Sequence, residues 1–420
     1  MSSDKWYKVD NVAKVFLATH SARDTRTLRV SCTLTEDIDA DILREALERT
    51  IVSRSLFQVR IRRGFFWNYI EATDVRPVVT EEHDRPCPVL YGKNYKGILH
   101  YKVTYYHRRI NLEVFHALTD GAGALEFLNI LVLNYLNIKY PDRFLGIDLG
   151  NNGSEAEREE DGFERFRSND GKGTGISVAK VKRAYHIRGM KLPYDQLQFF
   201  EVSMSGKKVR EMAKSSGVGI SGLLGAVLMM AIYNDMPFVK RKLPVTISMP
   251  VNLRNYFPSE TSRNFFNSIN ISHVFTGGES VPELAKEFEE NMKKCLDPDS
   301  VRQNMDNYQK LERLFFIRMV PLALKQPVVK YFSKKENKSV SAVISNLGIM
   351  KLPKQMDGYV EGYSALCSHN GLFITVLSYG DTMTFGITSS YRNTGVIKNF
   401  VRAFSKNGIE VTVNGSEVVW

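Results

Sequence analysis

His116 and Asp120 stand four residues apart, with two glycines close behind, in the run His116-Ala117-Leu118-Thr119-Asp120-Gly121-Ala122-Gly123. Each residue type has a use in proton-transfer chemistry. The imidazole titrates nearest neutral pH of all side chains, so a neutral His116 can take a proton from a hydroxyl, thiol or amine. A carboxylate at a helix start is stabilised by the free backbone N–H groups and the helix dipole. From there Asp120 can also hold an arginine from elsewhere in the chain. Gly121 and Gly123 allow a tight turn and the close approach of a ligand. An aspartate and a glycine also make an ordinary helix cap, so the pair alone does not establish catalysis.

The elements that must carry these residues are legible around them. Gly97–Tyr106 and Arg109–Phe115 form a strand pair turning near His107-Arg108, which leaves His116 at a strand end. Ala122–Ile138 follows as a helix with Leu125, Leu128, Val132 and Leu136 on one stripe. Upstream, Arg29–Thr35 reads as a strand and Ile38–Arg49 as a helix. Phe57–Arg62 and Phe65–Ile70 form a hairpin broken at Gly64. Downstream, strands are expected near Leu197–Ser203, Leu243–Met249 and Asn264–Phe275, and again at Ser339–Ser345, Tyr359–Ser364, Leu372–Ser378 and Met383–Tyr391. Helices are expected at Gly206–Ser216, Pro282–Cys295, Arg302–Leu324 and Val396–Asn407. Ile220–Asn234 is apolar on nearly every face and should be buried.

Strands mixed with long helices in both halves place the chain in the α/β (α+β) class. An N-terminal lobe over 1–150 and a C-terminal lobe over 196–420 are expected. Between them, 151–195 holds the acidic run Glu155–Asp161 and Gly171, Gly173 and Gly175, and reads as an acidic, glycine-rich exposed linker. Its Gly-Lys-Gly-Thr-Gly is not a phosphate loop, because no apolar strand precedes it.

The chain has 420 residues, 43% hydrophobic and 25% charged, which excludes disorder and fibre for most of its length. The net charge of +11 favours anionic partners without choosing among them, and nucleic-acid binding rests on that charge alone. Cys32, Cys87, Cys295 and Cys367 are scattered, and the histidines lack metal-ligand spacing, so neither a disulfide framework nor a metal site is expected. His369, between two late strands, reads as a packing residue that could also approach a tunnel. The first ten residues hold no apolar core, and Leu223–Ile232 falls far short of the ~20 residues that span a bilayer. A soluble, cytoplasmic protein without a transmembrane segment is expected.

The run His-Ala-Leu-Thr-Asp-Gly on a strand–loop–helix resembles the HxxxDG motif of an acyltransferase superfamily. It contains chloramphenicol acetyltransferase, nonribosomal-peptide condensation domains, plant hydroxycinnamoyl-type acyltransferases, wax ester synthases and alcohol acetyltransferases. Pro250-Val251-Asn252-Leu253-Arg254, followed by Asn264-Phe265-Phe266-Asn267, is similar to a second motif of that superfamily. Ile344-Ser345-Asn346-Leu347-Gly348 resembles a third. The bacterial alcohol-acetyltransferase-like group looks closest. Where many members carry a second histidine this chain has Phe115, and the plant branch's Asp-Phe-Gly-Trp-Gly is absent.

The resemblance implies two chloramphenicol-acetyltransferase-like lobes, each a mixed sheet flanked by helices, with an active-site tunnel at their interface. His116 would be the general base, and Asp120 a structural residue paired with Arg254. Gly121 would let the backbone lie close to a thioester, while Ser345 and Asn346 would face the substrate or a structural turn. The donor would be acyl-CoA, a co-substrate rather than a tightly bound cofactor, or an acyl carrier protein. The acceptor would be a small alcohol or amine. The basic clusters Arg60–Arg63 and His107–Arg109 read as solvated strand ends, with coenzyme A phosphates as the alternative. A condensation-type enzyme and a non-catalytic two-lobe scaffold remain open alongside the acyl-CoA-dependent transferase.

Overall fold

A computed structural model describes residues 6–92, 95, 97–144, 146, 147, 149, 153–166, 183–313 and 320–415, and of 306–313 the backbone only. The first half runs β1 (Trp6–Lys8), α1 (Asn11–Thr19), β2 (Thr27–Leu34), α2 (Ala40–Ser53), β3 (Val59–Arg63) and β4 (Asn68–Ala72). It continues with β5 (Val79–Glu81), β6 (Tyr101–Tyr106), β7 (Arg109–Phe115) and α3 (Gly121–Lys139). Two short helices follow, α4 (Glu155–Glu159) and α5 (Gly162–Arg165). The second half opens with β8 (Gln198–Ser205), α6 (Gly206–Ser215), α7 (Ile220–Asp235), β9 (Val245–Asn252) and β10 (Phe266–His273). Then come α8 (Val281–Cys295), α9 (Pro298–Arg313), α10 (Leu322–Asn337) and β11 (Ala342–Met350). The chain closes with β12 (Val360–Cys367), β13 (Leu372–Tyr379), β14 (Thr382–Ser389), α11 (Gly395–Ser405) and β15 (Val411–Gly415).

Helix starts follow local chemistry. Asp10, Asp39 and Asp120 accept backbone N–H groups of the first turns of α1, α2 and α3, and Ser280 with Glu283 forms a reciprocal cap on α8. The strands make two principal sheets, each backed by helices. The five-stranded sheet has the order β12-β2-β7-β6-β5, and the seven-stranded one the order β10-β9-β11-β13-β14-β8-β15. A smaller sheet of β1, β4 and β3 accompanies the first. Helices α2 and α3 close the first core. Helix α7, buried on all sides as its composition requires, is packed by α6, α8, α11 and β9 in the second. Helix α3 alone among the described helices is long and apolar enough to cross a membrane unaided, and most of it is buried inside the fold against α2, β2 and β7.

Several features depart from the sequence reading. Strand β12 leaves the second half to pair antiparallel with β2, Tyr363 opposite Cys32, because Val360, Tyr363, Ala365 and Cys367 bury into the first core. The stretch expected to be exposed linker is part exposed and part packed where it is described. Glu159 and Phe163 are buried, Phe163 lies on Phe265, and Tyr185 and Ile187 join the second core. Its glycine run lies outside the described residues. The helix expected over Arg302–Leu324 is interrupted before Leu322: among the described residues α9 covers Pro298–Arg313 and α10 begins at Leu322. Pro321 precedes α10, since a proline disfavours helical geometry in the residue before it. Helix α1 was not anticipated at all.

Candidate active site

Strand β7 ends by placing His116 at the seam of the two lobes. Its backbone N–H donates to the Arg26 carbonyl at 2.8 Å, which ties the turn to the residue preceding β2. Four residues on, Asp120 caps α3: its Oδ1 accepts the N–H groups of Ala122 and Gly123, both at 3.1 Å. Its Oδ2 faces the other lobe, accepting from Arg254 Nη1 at 2.8 Å and from the Phe265 amide at 2.9 Å. Arg254 sits in the short turn after β9. Its Nε and Nη2 donate to the Thr261 carbonyl at 2.9 and 2.7 Å, and Nη2 also to the Arg263 carbonyl at 2.7 Å. A guanidinium engaged this fully is a structural clasp, and Asp120 is the carboxylate it holds.

The His116 ring lies between Phe16 of α1, with centroids 4.6 Å apart, and Phe266 of β10, at 5.6 Å. Its Nδ1 is 3.2 Å from Asn264 Oδ1, and Asn264 Nδ2 is 3.2 Å from Asp10 Oδ2. Burial lowers the His116 pKa below the ordinary imidazole value. The Asp120 charge, a bond to the residue's own backbone and the Asn264 contact work the other way, and Arg26 adds to the depression. The ring is therefore neutral at pH 7. Nδ1 faces the side-chain oxygen of Asn264, and a hydrogen on Nδ1 would leave the lone pair on Nε2.

His116 borders a cavity of about 590 Å³ lined from both lobes. Asp120, Gly121, Arg254, Ser345 and Asn346, all singled out in the sequence, line it too. Asn346 is fastened into a turn: its Oδ1 accepts from the Gly348 amide at 2.9 Å, and its Nδ2 lies 3.3 Å from Ser221 Oγ. Gly348 there adopts a left-handed φ of 85°, which glycine takes at no steric cost. The register between β11 and β13 shifts at the same place.

Several contributors escaped the sequence reading. Arg26 lines the cavity with a left-handed φ of 55°, a strained conformation for a residue with a β-carbon, and pairs with Asp24 at 3.3 Å. His369, read as packing with an approach to a tunnel as the alternative, also lines it, with its pKa pushed down to about 4 by burial. Phe16 and Asp10 belong to the unanticipated α1. A readable signal existed for that helix, an aspartate three residues ahead of Ala13 followed by apolar residues at helical spacing. The basic clusters play no part in the cavity. Arg60 and Arg62 pair with Glu71, Arg108 with Glu361 and Arg109 with Glu201. Among the described residues, no three His, Cys, Asp or Glu side chains gather as a metal site.

Solved structures of two acetyltransferases and a condensation domain share this fold of mixed sheets flanked by helices in two lobes. No protein-family model matches the sequence, and no curated protein matches it by sequence search. The trichothecene 15-O-acetyltransferase TRI3 from Fusarium sporotrichioides is similar over 94% of each chain, with 14% identity and a TM-score of 0.60. F. sporotrichioides TRI101, solved with coenzyme A and T-2, is similar over 97% of this chain and 99% of its own, with 9% identity and a TM-score of 0.62. A variant starter condensation domain of rhizomide synthetase RzmA, solved with C8-CoA, covers 95% of this chain and 94% of its own, with 12% identity and a TM-score of 0.62.

Proposed function

We propose that the protein is an acyltransferase that moves an acyl group from an acyl-CoA to a small alcohol or amine, with His116 as general base. The observation that carries this reading is the neutral His116 ring, its Nδ1 engaged by Asn264 and its other nitrogen directed by elimination to the inter-lobe cavity. Nε2 removes the proton of the acceptor O–H or N–H as that atom attacks the thioester carbonyl. The tetrahedral intermediate then collapses, the C–S bond breaks, and the imidazolium returns its proton to the departing thiolate. No covalent enzyme intermediate is required.

The oxyanion needs hydrogen-bond donors set in advance. Ser345, on the cavity wall, is a candidate because its hydroxyl has no hydrogen bond among the described residues, whereas Asn346 already holds its own turn. Asp120 and Arg254 act by fixing the loop rather than by titrating. Phe16 and Phe266 flank the base and keep water from one side of it, which limits hydrolysis of the donor. The cavity's volume of about 590 Å³ supports a site for the acyl and acceptor groups.

The test is a thiol-release assay with acetyl-CoA and longer acyl-CoAs against a panel of alcohols and amines. Acceptor-dependent release is the expected result. Release with a carrier-protein thioester alone would move the donor to that class, and no release with either would overturn the reading.

A further inference from the structure

We propose that Asn264 and Asp10 are positioning residues, which hold the His116 ring in the one tautomer whose Nε2 is bare. The inference rests on His116 being the base and goes beyond it, because it says what makes that nitrogen basic. A neutral imidazole carries its hydrogen on either nitrogen. An asparagine facing Nδ1 does not by itself decide which, since its side chain can present either a carbonyl or an NH₂ group. Asp10 decides. An ionised carboxylate only accepts, so the NH₂ of Asn264 turns to Asp10 Oδ2 at 3.2 Å and its carbonyl turns to His116 Nδ1, also at 3.2 Å.

Asp10 is in turn immobile. Its Oδ1 caps α1 by accepting the Ala13 amide at 2.7 Å, Arg263 Nη2 stands 3.8 Å from Oδ2, and both Asp10 and Asn264 are 1% exposed. The charges that bear on Asp10 are Arg263 and Asp161, and those that bear on His116 are Asp120 and Arg26. The three residues come from three separate places: the head of α1, the approach to β10 and the end of β7. Their convergence in a buried line is how α1, which makes none of the reacting contacts through its polar groups, sets the chemistry. Phe115, in the position before the base, is buried in the first core.

The isosteric change Asp10→Asn tests this. Its carbonyl keeps the cap on Ala13 and its NH₂ then faces the NH₂ of Asn264, so Asn264 turns over and offers NH₂ to Nδ1. The hydrogen moves to Nε2. Ring-nitrogen NMR of labelled histidine, with His116 assigned by its loss in His116→Ala, is expected to show a bare Nε2 in the parent and a bare Nδ1 in Asp10→Asn. The kcat should fall by about 10- to 100-fold with KM little changed, the usual effect of removing a supporting partner. Asn264→Leu should lower kcat as well, and adding Asp10→Asn to it should cost nothing more, whereas a purely structural Asp10 would add its full effect. Unchanged ring spectra, which would mean that the ring's own backbone bond fixes the tautomer, or additive losses in the double variant, would overturn the proposal. The spectra need no turnover, so a failure of the base assignment would be seen separately in His116→Ala.

Discussion

Asp120 Oδ2 receives Arg254 Nη1 at 2.8 Å and, from the same lobe, the Phe265 amide at 2.9 Å, while Asp120 Oδ1 caps the helix of its own lobe. One carboxylate thus spans the seam. The loop that carries His116 is held by it from both sides, and the cavity exists only while the two lobes keep this spacing.

Replacing either partner leaves the other buried and unmatched. Asp120→Asn turns one acceptor oxygen into a donor that must face either Arg254 or a backbone N–H. Arg254→Ala strips the carboxylate of its cation and leaves the Thr261 and Arg263 carbonyls without donors. Each is expected to lower stability by about 3–5 kcal/mol, the cost of breaking a buried pair. Activity should fall with it. Denaturant titration beside thiol release checks both, and a variant as stable as the parent would count against the clasp.

The two glycines after Asp120 are expected to differ sharply. A β-carbon on Gly123 would stand 2.4 Å from the Ser262 carbonyl oxygen, where neither backbone can yield without parting the lobes. A β-carbon on Gly121 would meet the tip of Leu347 at 2.8 Å, a side chain free to rotate into the cavity. Gly123→Ala should destabilise by about 1–3 kcal/mol or more and abolish activity, as overpacking does. Gly121→Ala should stay folded and change mainly KM, because Leu347 then intrudes on bound substrate. Equal melting temperatures for the two variants would refute this.

Asp10 gives the fold a pH signature. Burial raises its carboxyl from 3.8 to about 6, with Arg263 only partly offsetting. Between those values the folded protein holds a proton that the unfolded chain has released. The group's contribution therefore favours folding below pH 4 and is lost as pH rises to about 6, by up to about 3 kcal/mol. Denaturation of the parent and Asp10→Asn across that window should show the parent losing ground to the variant as pH rises, then a constant difference. A difference independent of pH would contradict the assignment. Activity runs in the opposite sense, since the ionised Asp10 is the form that orients Asn264.

What was legible in the sequence was what lies within one stretch of chain. His116, Asp120 and the glycines belong to a single strand–loop–helix, so strand alternation, a capping aspartate and an apolar stripe locate them together. The Asp120–Arg254 pairing was reachable only through the resemblance, because no local pattern links residues on different lobes. The Asp10–Asn264–His116 line was not legible: each member looks ordinary alone, a cap, a strand-edge amide and a strand-end imidazole, and burial joins them. Strand β12 crossed to the first sheet for a similar reason. Its alternation shows that one face is buried, but not against which core. Arg26 was hidden because its left-handed backbone follows from the way the turn is tied to His116, not from any glycine in the sequence.

The central claim is that one imidazole nitrogen takes the acceptor's proton in the cavity between the lobes. Steady-state thiol release by His116→Ala beside the parent, with one acyl-CoA and one acceptor at saturation, tests it most directly. A fall of about 10²–10⁴-fold with the fold intact is expected, the size of a general-base contribution. Turnover equal to the parent's would contradict it.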